Sequence, residues 1–288
     1  MLSTFSIVAR AEESGDLGVA VQSKFLAVGA VVPWARASVG AVATQAWANT
    51  AFGPDGLRLL AEGLAAEEAL ARLVAADAGA AHRQVGLVDA RGHAAAHTGA
   101  ACPEWAGHRR GAGYTCQGNI LAGPRVVEAM AEAFEQSTGQ PFWSRLVDAL
   151  AAGQAAGGDR RGQQSAALLV VRAGGGYGGR NDRLVDLRVD DHARPIEELR
   201  RLLDLHVLSN LPSAETLPID AALARELQAI LQRAGRLAGP PSGRYDEATR
   251  AALRALVGEE NLEQRWHPDD RLDPVVLDFL RRRFAAPA

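Results

Sequence analysis

Thr4 and Ser6 stand two apart in the run Thr4-Phe5-Ser6-Ile7-Val8-Ala9, whose residue types predict a strand. Strand alternation puts both hydroxyls on one face. A turn at Gly15-Asp16 would pair this strand with a second, Leu17–Val21, and Lys24 follows directly after it. A hydroxyl, a neighbouring amine and a buried sheet are the parts of nucleophilic amide hydrolysis. Downstream, Gln117-Gly118-Asn119 ends a short strand ahead of a helix. Backbone N–H groups and an amide side chain at such a place can face a developing oxyanion. Asp159 lies in the polar loop Gly157-Gly158-Asp159-Arg160-Arg161-Gly162, which feeds a buried strand. A carboxylate there could orient an amine or a water. Taken singly, each of these residues reads more readily as structural; the combination is what points to chemistry.

Lys24 stands out by composition. Of 31 cationic residues it is the only lysine, and the rest are arginines. A guanidinium stays charged, whereas a desolvated amine can give up its proton. Other motifs point nowhere. Gly174–Gly179 is glycine-rich, but a strand follows it and it has no lysine, so it reads as a hairpin loop rather than a phosphate loop. No Gly-x-Ser-x-Gly elbow occurs. Asp190-Asp191-His192 reads as the start of a helix opened by Pro195. Cys102 and Cys116, near His97 and His108, suggest neither a dyad nor a disulfide framework, and no metal site or cofactor is expected.

The elements that would carry these residues follow from periodicity. Apolar β-type runs at Phe25–Val32 and Val39–Ala46 predict two more strands, buried on both faces. Leu57, Leu60, Leu64, Leu70, Leu73 and Val74 recur at helical spacing. Gln84–Asp89 and Ala94–Thr98 predict a second hairpin, and Tyr114–Gly118 a short strand. Pro124 opens a helix, and another spans Phe142–Ala156. Ser165–Arg172 and Leu184–Val189 read as strands, and Pro195 starts a helix to about Leu208. The α+β order suggests two central sheets flanked by helix layers. Residues 1–210 form this first domain, 211–218 a Pro-containing linker, and 219–288 a small all-α domain whose first helix is capped by Asp220.

At 288 residues, with 48% hydrophobic and 23% charged residues and a net charge of −3, this is an ordinary globular composition. It carries no cationic excess for nucleic acid or an anionic membrane, and no apolar run long enough to span a bilayer. The N-terminus lacks the basic and apolar regions of a secretory signal, so a cytoplasmic location is expected.

The quoted opening, together with Gly18-Val19-Ala20-Val21-Gln22-Ser23-Lys24-Phe25-Leu26-Ala27-Val28-Gly29, resembles a bacterial and archaeal family, the domain-of-unknown-function family numbered 1028. Val32-Pro33-Trp34-Ala35-Arg36, Ala43-Thr44-Gln45-Ala46, Gln117-Gly118-Asn119-Ile120-Leu121 and Gly157–Gly162 carry the likeness further, over about residues 3–210. The resemblance implies the N-terminal nucleophile (Ntn) hydrolase superfamily and a four-layer αββα sandwich. A looser likeness to proteasome β-type subunits places a nucleophilic Thr at Thr4 and sets Val-Ala-Val-Gln-Ser-Lys against their Val-Ala-Val-Asp-Ser-Arg. Gln22 thus replaces a carboxylate, and Arg36 lies nearer than Lys24 to the spacing of their catalytic lysine. The tail is similar to a peptidoglycan-binding-like domain through Leu227-Gln228, Leu231, Gly235, Gly243-Arg244-Tyr245-Asp246, Thr249 and Ala252-Leu253. Peptidoglycan contact itself is not expected without a secretory signal.

Two functions are open. In the first, an amidohydrolase acts on a small amide or ureide. Thr4 is the nucleophile and its own α-amine, of pKa about 7.7–8.0, the base. Lys24 supplies positive field, Asn119 serves the oxyanion and Asp159 orients the N-terminal group. Ser6, Arg36, Thr44 and Gln117 are the expected substrate contacts. This requires loss of Met1-Leu2-Ser3 by self-cleavage or a different start, because Leu2 is too large for ordinary methionine removal. In the second, the same residues form a non-catalytic polar cluster that binds a small anion or supports assembly, including a homo-oligomer.

Overall fold

The computed structural model describes residues 4–285, and the expected loss of Met1-Leu2-Ser3 concerns residues outside that range. The chain divides into two compact units, 1–202 and 203–288. The first is mixed α/β with antiparallel sheets.

Its larger sheet runs β10-β9-β2-β1-β8-β7. The strands are β1 (Thr4–Arg10), β2 (Leu17–Ser23), β7 (Gly107–Gly111), β8 (Tyr114–Asn119), β9 (Ser165–Val171) and β10 (Arg183–Val189). The smaller sheet runs β3-β4-β5-β6, from β3 (Pro33–Arg36), β4 (Gly40–Ala46), β5 (Arg83–Asp89) and β6 (Ala94–Thr98). All pairings within both sheets are antiparallel.

Alternation along each strand builds two cores. Val8, Val19, Val21, Ala41, Ala43, Val88, Ala167 and Val171 meet in one cluster drawn from both sheets. The opposite face of the smaller sheet gives Val42, Val85 and Leu87 to a second cluster, with Leu59, Leu60, Leu70 and Leu73. Those leucines come from α1 (Phe52–Ala61) and α2 (Ala66–Ala76). The larger sheet carries α3 (Arg125–Gln136) and α4 (Phe142–Ala155). There β2 lies so close to α4 that a Cβ on Gly18 would come within 2.6 Å of Leu146 Cδ1.

The structure goes beyond the sequence pattern in two places and corrects it in one. The helical period from Gly53 to Ala76 is two helices, because Gly63 takes a φ of +94° between them. Phe25–Val32 is not a strand but a turn and a short 3-10 segment, with the strand starting at Pro33. Its apolar character has another cause: Val28 and Val32 drop into the core between the sheets. Gly29 passes so near β9 that a Cβ would sit 2.6 Å from that of Ala167. β7, with the sequence Gly-His-Arg-Arg-Gly, has no apolar alternation and was not anticipated.

The second unit is helical, with the division falling inside α5 (Pro195–Asn210). Short strands β11 (Leu217–Pro218) and β12 (Arg271–Leu272) pair, so part of the 211–218 segment is ordered against this unit. Asp220 caps α6 (Ala221–Arg233) by accepting from the N–H groups of Ala222 and Leu223. Two more helices, α7 (Glu247–Glu259) and α8 (Pro274–Arg283), close a core of Leu227, Leu231, Leu253, Leu256 and Leu277. Among the described residues, no helix is long and apolar enough to cross a membrane.

Candidate functional site

Thr4 begins β1, the strand flanked by β2 and β8, opposite Ser23 on one side and Asn119 on the other. All three are wholly buried. The Thr4 hydroxyl donates to Ser23 Oγ at 3.1 Å. Period-two alternation turns Thr4 and Ser6 toward the smaller sheet, together with Gln117 and Asn119 of the next strand. From the facing sheet come Gln45 and Gln84, paired in register on β4 and β5.

These side chains form a hydrogen-bonded network across the gap between the sheets. Ser6 donates its hydroxyl to Gln45 Oε1 at 2.7 Å and accepts from Gln117 Nε2 at 2.7 Å. Gln45 Nε2 donates to Gln84 Oε1 at 2.9 Å and, at 3.4 Å each, to the main-chain oxygens of Thr4 and Gln117. Asn119 Nδ2 donates to Gln84 Oε1 at 3.1 Å, and Thr115 donates to Gln117 Oε1 at 3.0 Å. Buried amides are tolerable only when paired in this way. Gly86 makes room for the network, since a Cβ there would lie 2.3 Å from Gln117 Oε1.

Asp159 and Lys24 form a second cluster beside the first. The Asp159 carboxylate is buried and stitches two loops together. Its Oδ2 accepts from the backbone N–H of Lys24 at 3.1 Å, and Oδ1 from that of Arg161 at 2.9 Å. Asp159 also bridges to Leu121, two residues beyond Asn119. The Lys24 ammonium donates to the carbonyl of Gln163 at 3.2 Å in an exposed position. Its main-chain N–H, rather than its amine, is therefore what meets Asp159.

The expected site residues thus divide. Thr4, Ser6, Gln117 and Asn119 come together in one buried cluster, with Asp159 holding the loop that leaves Ser23. Thr44 lies on the other face of β4 from Gln45, donating to Asn49 O at 3.1 Å. Arg36 pairs with Gly40, five residues before Gln45, or roughly 17 Å by strand rise. It lies toward the opposite end of β4 from Thr4. Gln22 faces away from Thr4, because its neighbour Ser23 takes the Thr4 side; a carboxylate at 22 would not reach this cluster. His93 and His97 are four apart, but on a hairpin, and their ring nitrogens meet Asp89 and the carbonyl of Ala80.

Gln45 and Gln84 carry most of the network, and neither stands out in the sequence as a functional residue. The available signal was a polar residue at a core-facing position of an otherwise apolar strand. At the far end, Gln84 Nε2 donates to Thr98 Oγ1, which meets His108 Nδ1 at 2.9 Å. Desolvation, with the nearby charges of Arg110 and His97, holds His108 below the ordinary imidazole range. Burial pushes the thiols of Cys116 and Cys102 well up, which makes them poor nucleophiles.

A search of curated proteins finds no match. A crystal structure of a member of the unknown-function family DUF1028 from Silicibacter pomeroyi is similar, with a TM-score of 0.65 and 33% identity. The match covers 72% of this chain and 90% of that one. Residues 212–280 match a model described as "Putative peptidoglycan binding domain". Residues 4–199 match the model "Family of unknown function (DUF1028)". With two-thirds of its length in that match, the chain belongs to the DUF1028 family.

Proposed function

We propose that this protein is an Ntn-type amidohydrolase with an αββα sandwich, acting on a small amide or ureide through Thr4. The observation that carries the reading is the place of Thr4: first in a central strand, its hydroxyl on Ser23 and its strand partner Asn119. The sandwich reading is supported by two sheets sharing one core, each with a helix pair packed on it.

In this reading the chain ahead of Thr4 is removed. The free α-amine takes the Thr4 hydroxyl proton as Oγ1 attacks the amide carbonyl. The second hydrogen of Asn119 Nδ2, whose first is held by Gln84 Oε1, donates to the developing oxyanion. The amine leaves with the proton returned from the α-ammonium, and an acyl ester remains on Oγ1. Water then adds, its proton passing to the α-amine, and releases the acid and Thr4. Ser23 orients the hydroxyl, and Asp159 holds the adjoining loops rather than the reacting amine. The unpaired Cys102 and Cys116 are compatible with a reducing cytoplasm. The helical unit is assigned to protein contacts.

The test is intact mass combined with labelling by a β-lactone, an electrophile that acylates an N-terminal Thr. A processed chain labelled at Thr4, with labelling abolished in Thr4→Ala, supports the reading. An active preparation that retains Met1 rules out the free-amine mechanism. A second reading, a non-catalytic anion-binding protein, is favoured by the complete burial of the Thr4 hydroxyl. A folded chain that keeps Met1, takes no label and binds a small anion such as phosphate would select it.

A further inference from the structure

We propose that Gln84 is the positioning residue of the Thr4 site: its carboxamide fixes the orientation of the Asn119 amide, with Nδ2 on Gln84 and its second hydrogen left for the reacting atoms. The proposal rests on the amidohydrolase reading for its catalytic meaning, but its geometry stands apart from it.

The two ends of an amide look alike in shape and differ only in their partners. For Gln84 the partners leave no choice. One end meets the main-chain oxygens of Gly107 at 3.1 Å and Gly118 at 2.8 Å. A carbonyl can only accept, so that end is Nε2. The other end is Oε1, and it meets Gln45 at 2.9 Å and Asn119 at 3.1 Å. Both must therefore present N–H groups. Gln45 independently agrees, because the same nitrogen also meets the carbonyls of Thr4 and Gln117. Its Oε1 is then left to accept from Ser6, so that the polarity propagates to Gln117 and Thr115.

For Asn119 this means that Nδ2 is held on Gln84 in a wholly buried site. A flip would set two oxygens against each other where no water can intervene, a costly arrangement. Gln84 thus selects one of two near-isosteric states of the residue across the strand from Thr4. It does so without touching substrate.

The same polarity runs outward. Thr98 accepts from Gln84 Nε2 at 3.0 Å, and its own proton can then go to His108 Nδ1, 2.9 Å away. Under the proposal it does so, and His108 carries its hydrogen on Nε2. Arg110 on β7 and His97 on β6 also face this imidazole, and His93 and Glu67 line the same surface cleft. His108 is therefore a surface reporter of the orientation that Gln84 imposes inside.

The experiment uses the full chain, labelled with nitrogen-15. In the parent protein, His108 shows the Nε2–H tautomer and the Asn119 side-chain amide a single hydrogen-bonded resonance. In Gln84→Met, that resonance shifts or doubles and β-lactone labelling of Thr4 falls by about tenfold or more. In Thr98→Val, where Gln84 keeps its carbonyl acceptors, the His108 tautomer is released while Asn119 and Thr4 labelling are unchanged. If Gln84→Met does not fold, the parent protein decides the matter: an Asn119 side-chain amide with the shift and exchange rate of a free amide overturns the proposal. The proposal is overturned if Asn119 and Thr4 labelling are unaffected in folded Gln84→Met, or if Thr98→Val disturbs Asn119 and leaves His108 as it was. If the parent protein takes no label, the amidohydrolase reading fails, and the two nuclear resonance readouts still decide the role of Gln84.

Discussion

The Ser6 hydroxyl donates to Gln45 Oε1 at 2.7 Å, directly across the gap between the two sheets. Ser6 Oγ in turn accepts from Gln117 Nε2, so its one proton is committed and it bridges two buried glutamines. A hydroxyl held in this way is a poor nucleophile despite its alignment with Thr4. Ser6→Ala takes the donor from Gln45 Oε1 and leaves Gln117 Nε2 only the main-chain oxygen of residue 6, in a dry interior. The expected cost is about 2–4 kcal/mol of stability, read by urea unfolding. Labelling of Thr4 in the folded fraction should persist, whereas Thr4→Ala should lose it, at a cost of about 1–2 kcal/mol for its buried methyl and hydroxyl.

Gly86 tests the same network from its floor. A methyl group there would lie 2.3 Å from Gln117 Oε1, 2.7 Å from its Cδ and 2.8 Å from Thr115 Cγ2. No rotation of Gln117 relieves this without breaking its bonds to Ser6 and Thr115. Gly86→Ala should destabilise by about 1–3 kcal/mol, although alanine is the better residue in the unfolded chain. A thermal melt at or above the parent value would show that the network repacks freely.

Much of this fold could be read from residue types alone. The hairpin of β1 and β2, the long apolar β9 and the Asp220 cap all follow from local pattern. What failed had non-local causes. β7 is set by β8 and by Arg109 reaching Glu135, not by its own polar sequence. Phe25–Val32 is apolar because two of its valines plug a core, not because it is a strand. At the site, the place of Thr4 on the first strand followed from the strand pattern; its register with Asn119 did not, because local pattern does not say which strand lies beside β1. The roles of Gln45 and Gln84 did not, because a glutamine's function here depends on which carbonyls the opposite sheet brings to it.

Lys24 drew attention as the only lysine, and its surroundings predict little consequence from its loss. The ammonium is exposed and, among the described residues, donates to the Gln163 carbonyl alone. Lys24→Arg and Lys24→Ala should each change stability by no more than about 0.5 kcal/mol and leave Thr4 labelling unaltered. Asp159→Ala should behave differently, because it removes the acceptor for two backbone N–H groups. An expected loss of about 1–3 kcal/mol, with faster hydrogen exchange at residues 24–28 and 159–164, separates the two.

Acid should loosen both units through specific carboxylates. In the first unit, the Arg83 guanidinium beside Asp77, with Asn49 and the Gly79 N–H, holds that carboxyl down to about 2. In the second, burial alone would raise Asp273, but hydrogen bonds from Ser213 and the Val275 N–H and the charge of Arg265 hold it below the usual range. Arg265 is itself buried, 2.8 Å from Asp273. Both folded values are depressed, so their stabilisation is fully present above the unfolded carboxylate value of about 3.9 and is lost as pH falls through the folded values. Hydrogen exchange read separately over the two units should be flat from pH 7 to about 5 and rise as the pH falls below about 4, once corrected for intrinsic rates. Asp77→Asn should flatten the acid response of the first unit, and Asp273→Asn that of the second. Equal acid sensitivity in either variant and the parent chain would mean that other carboxylates govern the transition. Arg265→Met should be the harsher change. It leaves the Asp273 charge buried with only neutral donors, at an expected cost of about 3 kcal/mol at neutral pH. Part of that loss should be recovered in the double variant Arg265→Met/Asp273→Asn, because the uncompensated charge is then gone.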